Sequence, residues 1–269
     1  MLPLCPVCGA ELSPQAHAWL CPNRHSFDKA RQGYVNLLTV EKKHSLHPGD
    51  TREMVAARKA FLDAGHYLPI ADKLRTLLRE FCPHAASVLD AGCGEGYYLS
   101  QAASDFPNAE LFGVDISKEA VRYAAVRNKR IVWLTATAAA LPFADASFDA
   151  LLSMFAPTLA PEFARVLRLG GIFIQVLAGE EHLMGLKRII YPAILRKEKD
   201  LSPVLTGFSL LHSETLSFPF TADTPEEVQN LLAMTPHFWR ISKEGAERLR
   251  LTERLSDRAE VIFNVYLRV

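Results

Sequence analysis

Between Val88 and Tyr98 the chain reads V-L-D-A-G-C-G-E-G-Y-Y, a run that few folds can use. Val88, Leu89 and the start of Asp90 have the character of a buried strand ending. Three glycines at alternate positions then crowd into a turn, and a helix is expected from about Tyr97. Such glycines permit φ > 0 and let a ligand approach the main chain with no Cβ in the way. A strand-to-helix turn of this kind lies at the ligand-binding edge of an open α/β sheet, beside exposed helix N–H groups. The spacing is G-x-G-x-G with an acid two residues upstream, not the G-x-G-x-x-G of dinucleotide folds. A second strand, L-F-G-V-D-I over 111–116, carries Asp115 where a carboxylate would accept hydrogen bonds from both ribose hydroxyls of a nucleoside. The competing reading is an ordinary Rossmann-like turn that binds NAD or nothing.

Together these residues resemble the class I methyltransferases that use S-adenosylmethionine. The resemblance implies an α/β fold built on a Rossmann-like sheet, parallel with one antiparallel strand. It places Asp90, Gly92, Gly94 and Gly96 in a loop around the methionine and ribose portions of the cofactor, and Asp115 on the ribose. The segment A-T-A-A-A-L-P-F over 136–143 is similar to one in which the family carries an acid that meets the adenine amino group. Thr137 stands at that position here, so a hydroxyl or a backbone contact would have to serve.

Near the start, Cys5-Pro-Val-Cys8 is followed by twelve residues, then Cys21, then His25. Two cysteines separated by two residues, closed by a second Cys/His pair after a hairpin, make a tetrahedral zinc site with no open position, hence a structural one. Gly9 suits the turn after the first pair, and Trp19-Leu20 reads as a short strand leading into Cys21. About 35 residues bury too little surface to fold unaided, so the metal would supply that stability. His17 is a second candidate but fits the paired spacing less well than His25. Five cysteines in this pattern point to metal and a reducing, cytoplasmic setting. The start M-L-P-L-C-P has no basic segment followed by a long apolar one, and no apolar run reaches the roughly 18 residues of a membrane span. Thirty basic residues balance thirty acidic ones, which excludes coating of nucleic acid by bulk charge and leaves only a local patch. One such patch is Arg24, Lys29, Arg31, Lys42 and Lys43 against Asp28 and Glu41, with Tyr34 and His44 nearby. A solvated linker face reads equally well.

The block C-P-x-C…C-x3-H-x-F-D-x-A-x-x-G-Y-V-N-L-L, then P-G-D, A-R-x-x-F-L-D-A-G-H-Y and G-C-G-E-G-Y-Y, resembles the large-subunit (23S) ribosomal RNA guanine-N1 methyltransferases. The likeness runs from Cys5 to about Trp239. It implies methylation of a guanine in an rRNA hairpin loop, a small N-terminal zinc-binding domain, and a homodimer. The division expected is a zinc module for RNA recognition over 1–36, a linker over 37–52, and the methyltransferase domain over 53–269. Zn2+ and S-adenosyl-L-methionine are the expected cofactors and the 23S rRNA hairpin the partner.

Arg52–Ala64 reads as a helix closed by Gly65, and Ile70–Phe81 as another, both covering the cofactor edge. Arg58 and Asp63 read as a surface pair. Ser117 should cap a helix to about Arg127, followed by a third strand over 131–135 and a fourth over Phe148–Ser153. Phe155 and Pro157 leave the fourth strand where transfer chemistry occurs in such sheets, and would stack a flipped base or simply pack the strand end. Gly170-Gly171 opens a fifth strand over 172–177. His182, in a segment resembling the family's H-L-M-x-L-K, is a candidate for substrate or cofactor contact, for catalysis, or for a helix cap. An outer strand over Phe208–Phe218, a helix over Thr224–Ala233 and a last strand over Arg258–Arg268 complete the reading. By resemblance M-T-P-x-x-W-R, with Trp239, borders the guanine pocket, although an aromatic cluster is as readily core. Guanine N1 carries a proton, so attack on a sulfonium methyl needs a base or a stabilised charge at O6. Asp149 reads as structural, Cys82 as ordinary burial, and Cys93 as part of the loop. A small-molecule methyltransferase and an RNA-binding factor with a relic cofactor site are the rival classes.

Overall fold

The computed structural model describes residues 1–39, 49–194 and 200–269. Lys42, Lys43, Glu41 and His44 of the basic stretch, and most of the expected linker, lie outside these residues. Three short strands, β1 (Ser13–Pro14), β2 (Ala18–Leu20) and β3 (Ser26–Asp28), form an antiparallel sheet of their own. The next strand, β4 (Val35–Asn36), leaves that sheet and joins the main one.

Helices α1 (Arg52–Asp63) and α2 (Leu68–Phe81) lead into β5 (Ser87–Ala91), α3 (Tyr97–Ala102), β6 (Glu110–Asp115), α4 (Lys118–Arg127), β7 (Val132–Thr135) and β8 (Phe148–Met154). Then come α5 (Ala160–Val166), β9 (Leu167–Ala178), α6 (Met184–Ile190), β10 (Phe208–Ala222), α7 (Pro225–Ala233), α8 (Lys243–Arg250) and β11 (Leu255–Arg268). The eight-stranded sheet has the order β10-β11-β9-β8-β5-β6-β7-β4. Strand β11 runs antiparallel to both its neighbours and the rest are mutually parallel, as the resemblance implied.

Local chemistry accounts for the boundaries. Thr51 caps α1 by accepting from the Met54 N–H, and Gly65 just past its end has φ +85°. Ser117 caps α4 through the Ala120 N–H and Thr224 caps α7 through the Glu227 N–H. Strand β9 begins five residues earlier than the Gly-Gly pair suggested, because Leu167 already pairs with Phe148 before a kink at Gly170. Strand β10 runs on to Ala222 because β11 pairs with it along its whole length.

Alternate residues of the central strands feed two cores. Val88, Ala150, Leu152 and Ile174 face α1–α4, whereas Leu89, Phe112, Leu151 and Phe173 face the other way. That second layer also holds Leu12 and Trp19 of the N-terminal segment with Phe143, Phe148 and Phe163. The N-terminal segment is further tied down by Leu4 N–H to Pro142 O at 2.8 Å and Leu37 N–H to Thr135 O at 2.8 Å.

Candidate functional site

The first cluster lies in the N-terminal segment. A turn with Gly9 at φ +73° brings Cys8 back beside Cys5, and a second turn with Arg24 at φ +65° returns His25 to Cys21. Cys8 Sγ stands 3.7 Å from Cys21 Sγ, and His25 Nδ1 is 3.5 Å from Cys5 Sγ and 3.4 Å from Cys21 Sγ. All four donor atoms fall within 4.8 Å of one another. A tetrahedron with Zn–S of about 2.3 Å has S···S edges of about 3.8 Å, so this donor set fits zinc. The Ala10 N–H is the main cause that lowers the Cys8 thiol to about 6, which favours the thiolate a metal needs. His17 is not in the cluster; its carbonyl accepts from the Lys29 N–H.

The second cluster is the glycine loop between β5 and α3. The Gly92 and Cys93 N–H groups both donate to Val114 O, which folds the loop back against β6. Gly92 has φ +85°, and a Cβ there would lie 2.5 Å from the Ala156 Cβ. The Gly94 N–H donates to Asp115 Oδ2 at 2.9 Å, and the Ser117 N–H to Asp115 Oδ1 at 2.8 Å. Asp90 is buried, and its Oδ1 has no partner among the described residues. Burial first, and then the nearby Asp115 charge, push the Asp90 carboxyl up to about 8. Burial also raises Asp115, against the lowering effect of its two N–H donors, and burial holds Cys93 neutral. Two buried carboxyls close enough to feel each other's charge, one with an unpartnered oxygen, suit a ligand that brings hydroxyls or positive charge. S-adenosylmethionine, with a ribose, an ammonium and a sulfonium, fits that set of acceptors.

An ion network backs the loop. Glu95 is buried against Arg127 at 2.5 Å, and Arg127 reaches Asp63 at 2.8 Å. Arg58 pairs with Asp50 at 2.5 Å and donates to Met234 O at 3.1 Å. Arg58 and Asp63 therefore do not form the surface pair expected from sequence; each joins α1 to a different part of the site edge. Thr137 Oγ1 accepts from the Ala139 N–H. The residue lines a groove of about 330 Å³ with Cys5, Pro6, Leu38 and Ala136, at the seam between the metal cluster and the sheet.

The third feature is the carboxyl end of β8. Phe155 sits there at φ +57° and is 40% exposed, with its N–H donating to Val176 O. A left-handed aromatic residue is strained, and such strain is concentrated at functional sites. Tyr67, Tyr98 and His182 surround it, with ring centres 6.4, 6.3 and 6.1 Å away. Pro157 beside it is exposed. His182 is buried and does not cap α6, since Leu183 holds that place. Its Nδ1 accepts from the Glu260 N–H at 3.2 Å, and its Nε2 faces the Tyr67 hydroxyl at 3.3 Å. Trp239 is exposed in a 3-10 turn (Pro236–Trp239), packed edge-on against Phe238. Asp149 accepts from the Ala86 and Ser87 N–H groups and pairs with Arg168, a structural arrangement. Burial raises the Cys82 thiol to about 12. Tyr34 is buried in the core and so offers nothing to a phosphate backbone, while Arg24, Lys29 and Arg31 are exposed.

The sheet order, the acid–glycine–acid loop and the Cys3His cluster together define a class I methyltransferase fold with a zinc-ribbon module. Residues 4–46 match the zinc-ribbon family model described as RlmA, N-terminal, and residues 88–171 match the one described as Methyltransferase domain. The 23S rRNA (guanine(748)-N(1))-methyltransferase of Streptomyces fradiae is 36% identical over 249 residues, 87% of this chain and 85% of that protein. A Micromonospora griseorubida protein provisionally named a 23S rRNA (guanine-N(1)-)-methyltransferase is 36% identical over 283 residues, covering 96% of this chain and 92% of that one. The chain belongs to the 23S rRNA (guanine-N1)-methyltransferase family. Among the described residues no helix is long and apolar enough to cross a membrane.

Proposed function

We propose that this protein transfers a methyl group from S-adenosylmethionine to N1 of a guanine in a hairpin loop of 23S rRNA. The observation that carries the reading is that zinc ribbon and methyltransferase domain together align along nearly the whole chain with relatives named for that reaction. When bound, the cofactor supplies an electrophilic sulfonium methyl group. Asp115 would hold the ribose hydroxyls. Asp90 and the loop of Gly92, Gly94 and Gly96, whose missing side chains leave the main chain open to approach, would wrap the methionine and ribose portions, and the main chain or hydroxyl of Thr137 would hold the adenine. Phe155 and Pro157 would take the extruded base between apolar surfaces, with Trp239 at the rim. Holding N1 in line with the methyl supplies much of the rate.

Zn2+ on Cys5, Cys8, Cys21 and His25 would fix the module of residues 1–36 as an RNA-reading unit. Its exposed Arg24, Lys29 and Arg31 favour RNA over a metabolite, since loops are read by stacking plus charge. Residues 37–52 would link it to the methyltransferase domain of 53–269. A homodimer follows the family resemblance. A cytoplasmic setting agrees with five cysteines free of disulfides. The test is transfer of labelled methyl to protein-free large-subunit rRNA, followed by nucleoside analysis. We expect 1-methylguanosine that disappears with Asp115→Ala. Label in another nucleoside would overturn the base assignment, and no label on any RNA despite cofactor binding would point to a small-molecule substrate.

A further inference from the structure

Attack by guanine N1 forms the N1–methyl bond and breaks the sulfur–methyl bond; the N1 proton passes to water and the cofactor leaves as a neutral thioether. As that proton departs, negative charge collects on the guanine O6, and hydrogen-bond donors placed there lower the barrier. Among the described residues, the wall around Phe155 carries two buried phenols suited to this. Tyr98 is 8% exposed, and its hydroxyl has no partner among those residues. It is the second residue of α3, so it stands between the glycine loop and Phe155. Tyr67 is 3% exposed, with Phe61, Phe218 and Phe220 edge-on to its ring and Phe155 and His182 tilted beside it.

The hydrogen-bond directions decide what Tyr67 can do. The Glu260 N–H points at His182 Nδ1, so Nδ1 is the acceptor and the ring proton of the neutral imidazole is on Nε2. That Nε2–H then donates to the Tyr67 oxygen at 3.3 Å, and the phenolic hydrogen is left to donate elsewhere. We propose that Tyr67 and Tyr98 donate their hydroxyl hydrogens to O6 of a guanine laid on Phe155, and that His182 is a positioning residue that aims Tyr67. This rests on the guanine-N1 reading above. Burial raises both phenols well above their ordinary range, so they remain donors throughout the working pH. In apolar surroundings such a bond is stronger than in water.

The experiment compares wild type with Tyr67→Phe, Tyr98→Phe and His182→Ala on an rRNA hairpin carrying guanosine or 6-thioguanosine at the target. Binding of S-adenosylhomocysteine by calorimetry serves as the folding control. Each Tyr→Phe change should lower kcat by about 10²-fold with cofactor affinity and KM for RNA near wild type. Sulfur accepts hydrogen bonds poorly, so the thio substrate should slow wild type much more than it slows either phenylalanine variant. His182→Ala should lower kcat and blunt the thio effect, whereas a purely packing role would leave that effect at wild-type size. Either Tyr→Phe variant at full kcat, or an undiminished thio effect in both, overturns the proposal alone. A wild type that forms no 1-methylguanosine overturns it together with the functional reading.

Discussion

Buried Asp90 gives the cofactor loop a pH signature. Its folded-state value of about 8 lies above the ordinary 3.8, so between those limits the native state binds a proton that the unfolded chain has released. Stability from this group is therefore complete below about pH 4 and declines as pH rises towards 8, by about 1.4 kcal/mol per pH unit at most. Asp115 is raised as well and acts in the same direction. Asp90→Asn should thus gain on wild type steadily from pH 5 to pH 8 when urea midpoints are compared without cofactor; a constant difference would refute the assignment. Gly96 supplies a steric counterpart. Its φ of +80° and a would-be Cβ 2.6 Å from the Trp133 ring leave no room for a side chain. Gly96→Ala should cost about 1–3 kcal/mol by overpacking, plus the backbone strain, read from the same unfolding curves. The loop's acids and glycines were legible because turn chemistry and ribose recognition are local. The phenols of Tyr67 and Tyr98 were not, since their role depends on Phe155 and His182, which only the folded chain brings beside them.

At the scale of elements, the central strands could be read from runs such as V-L-D-A and L-L-S-M, apolar on both faces and bounded by turns. Helix α5 was missed because its seven residues span barely two turns, too few for a period to emerge. Helix α8 was missed because K-E-G-A-E-R-L-R is charged at five of its eight positions, and its buried face holds only Gly245 and Leu249, too little apolar surface to mark a period. Strand β4 has two residues, and only its parallel pairing with Val132–Thr135 reveals it. That pairing has an energetic consequence. Because the zinc cluster's Cys5 and Cys21 share a hydrophobic layer with Leu89, Phe112 and Phe173, losing the metal should loosen the sheet as well as the module. Cys21→Ser should abolish one equivalent of bound zinc by atomic absorption and lower Tm of the whole protein. An unchanged Tm would mean that the module is energetically separate.

For the molecule as a whole, balanced charge means that RNA must be held by a few contacts, not by a general field. Each phosphate neutralised on a single strand contributes a slope of about −0.7 in log K against log salt. Replacing Arg24 and Arg31 with alanine should therefore flatten that slope by about 1.4 and weaken hairpin binding, while S-adenosylhomocysteine binding is untouched. An unaltered slope would remove the module from the RNA interface. The proposed homodimer is checked by sedimentation equilibrium, a monomer at micromolar concentration counting against it.

The order of strands at one side of the sheet also bears on how the protein is born. Strand β10 precedes β11 in the chain but reaches the sheet only through it, since β11 lies between β10 and β9. During synthesis the fifteen residues of Phe208–Ala222, with Leu210 and Leu211 outward even in the finished fold, emerge before the strand that anchors them exists. Over that interval a long, unpaired, partly apolar ribbon is open to other nascent chains. The nascent polypeptide is therefore most in need of chaperone cover after its cofactor loop and the six parallel strands β4 to β9 have formed, and before β11 is translated.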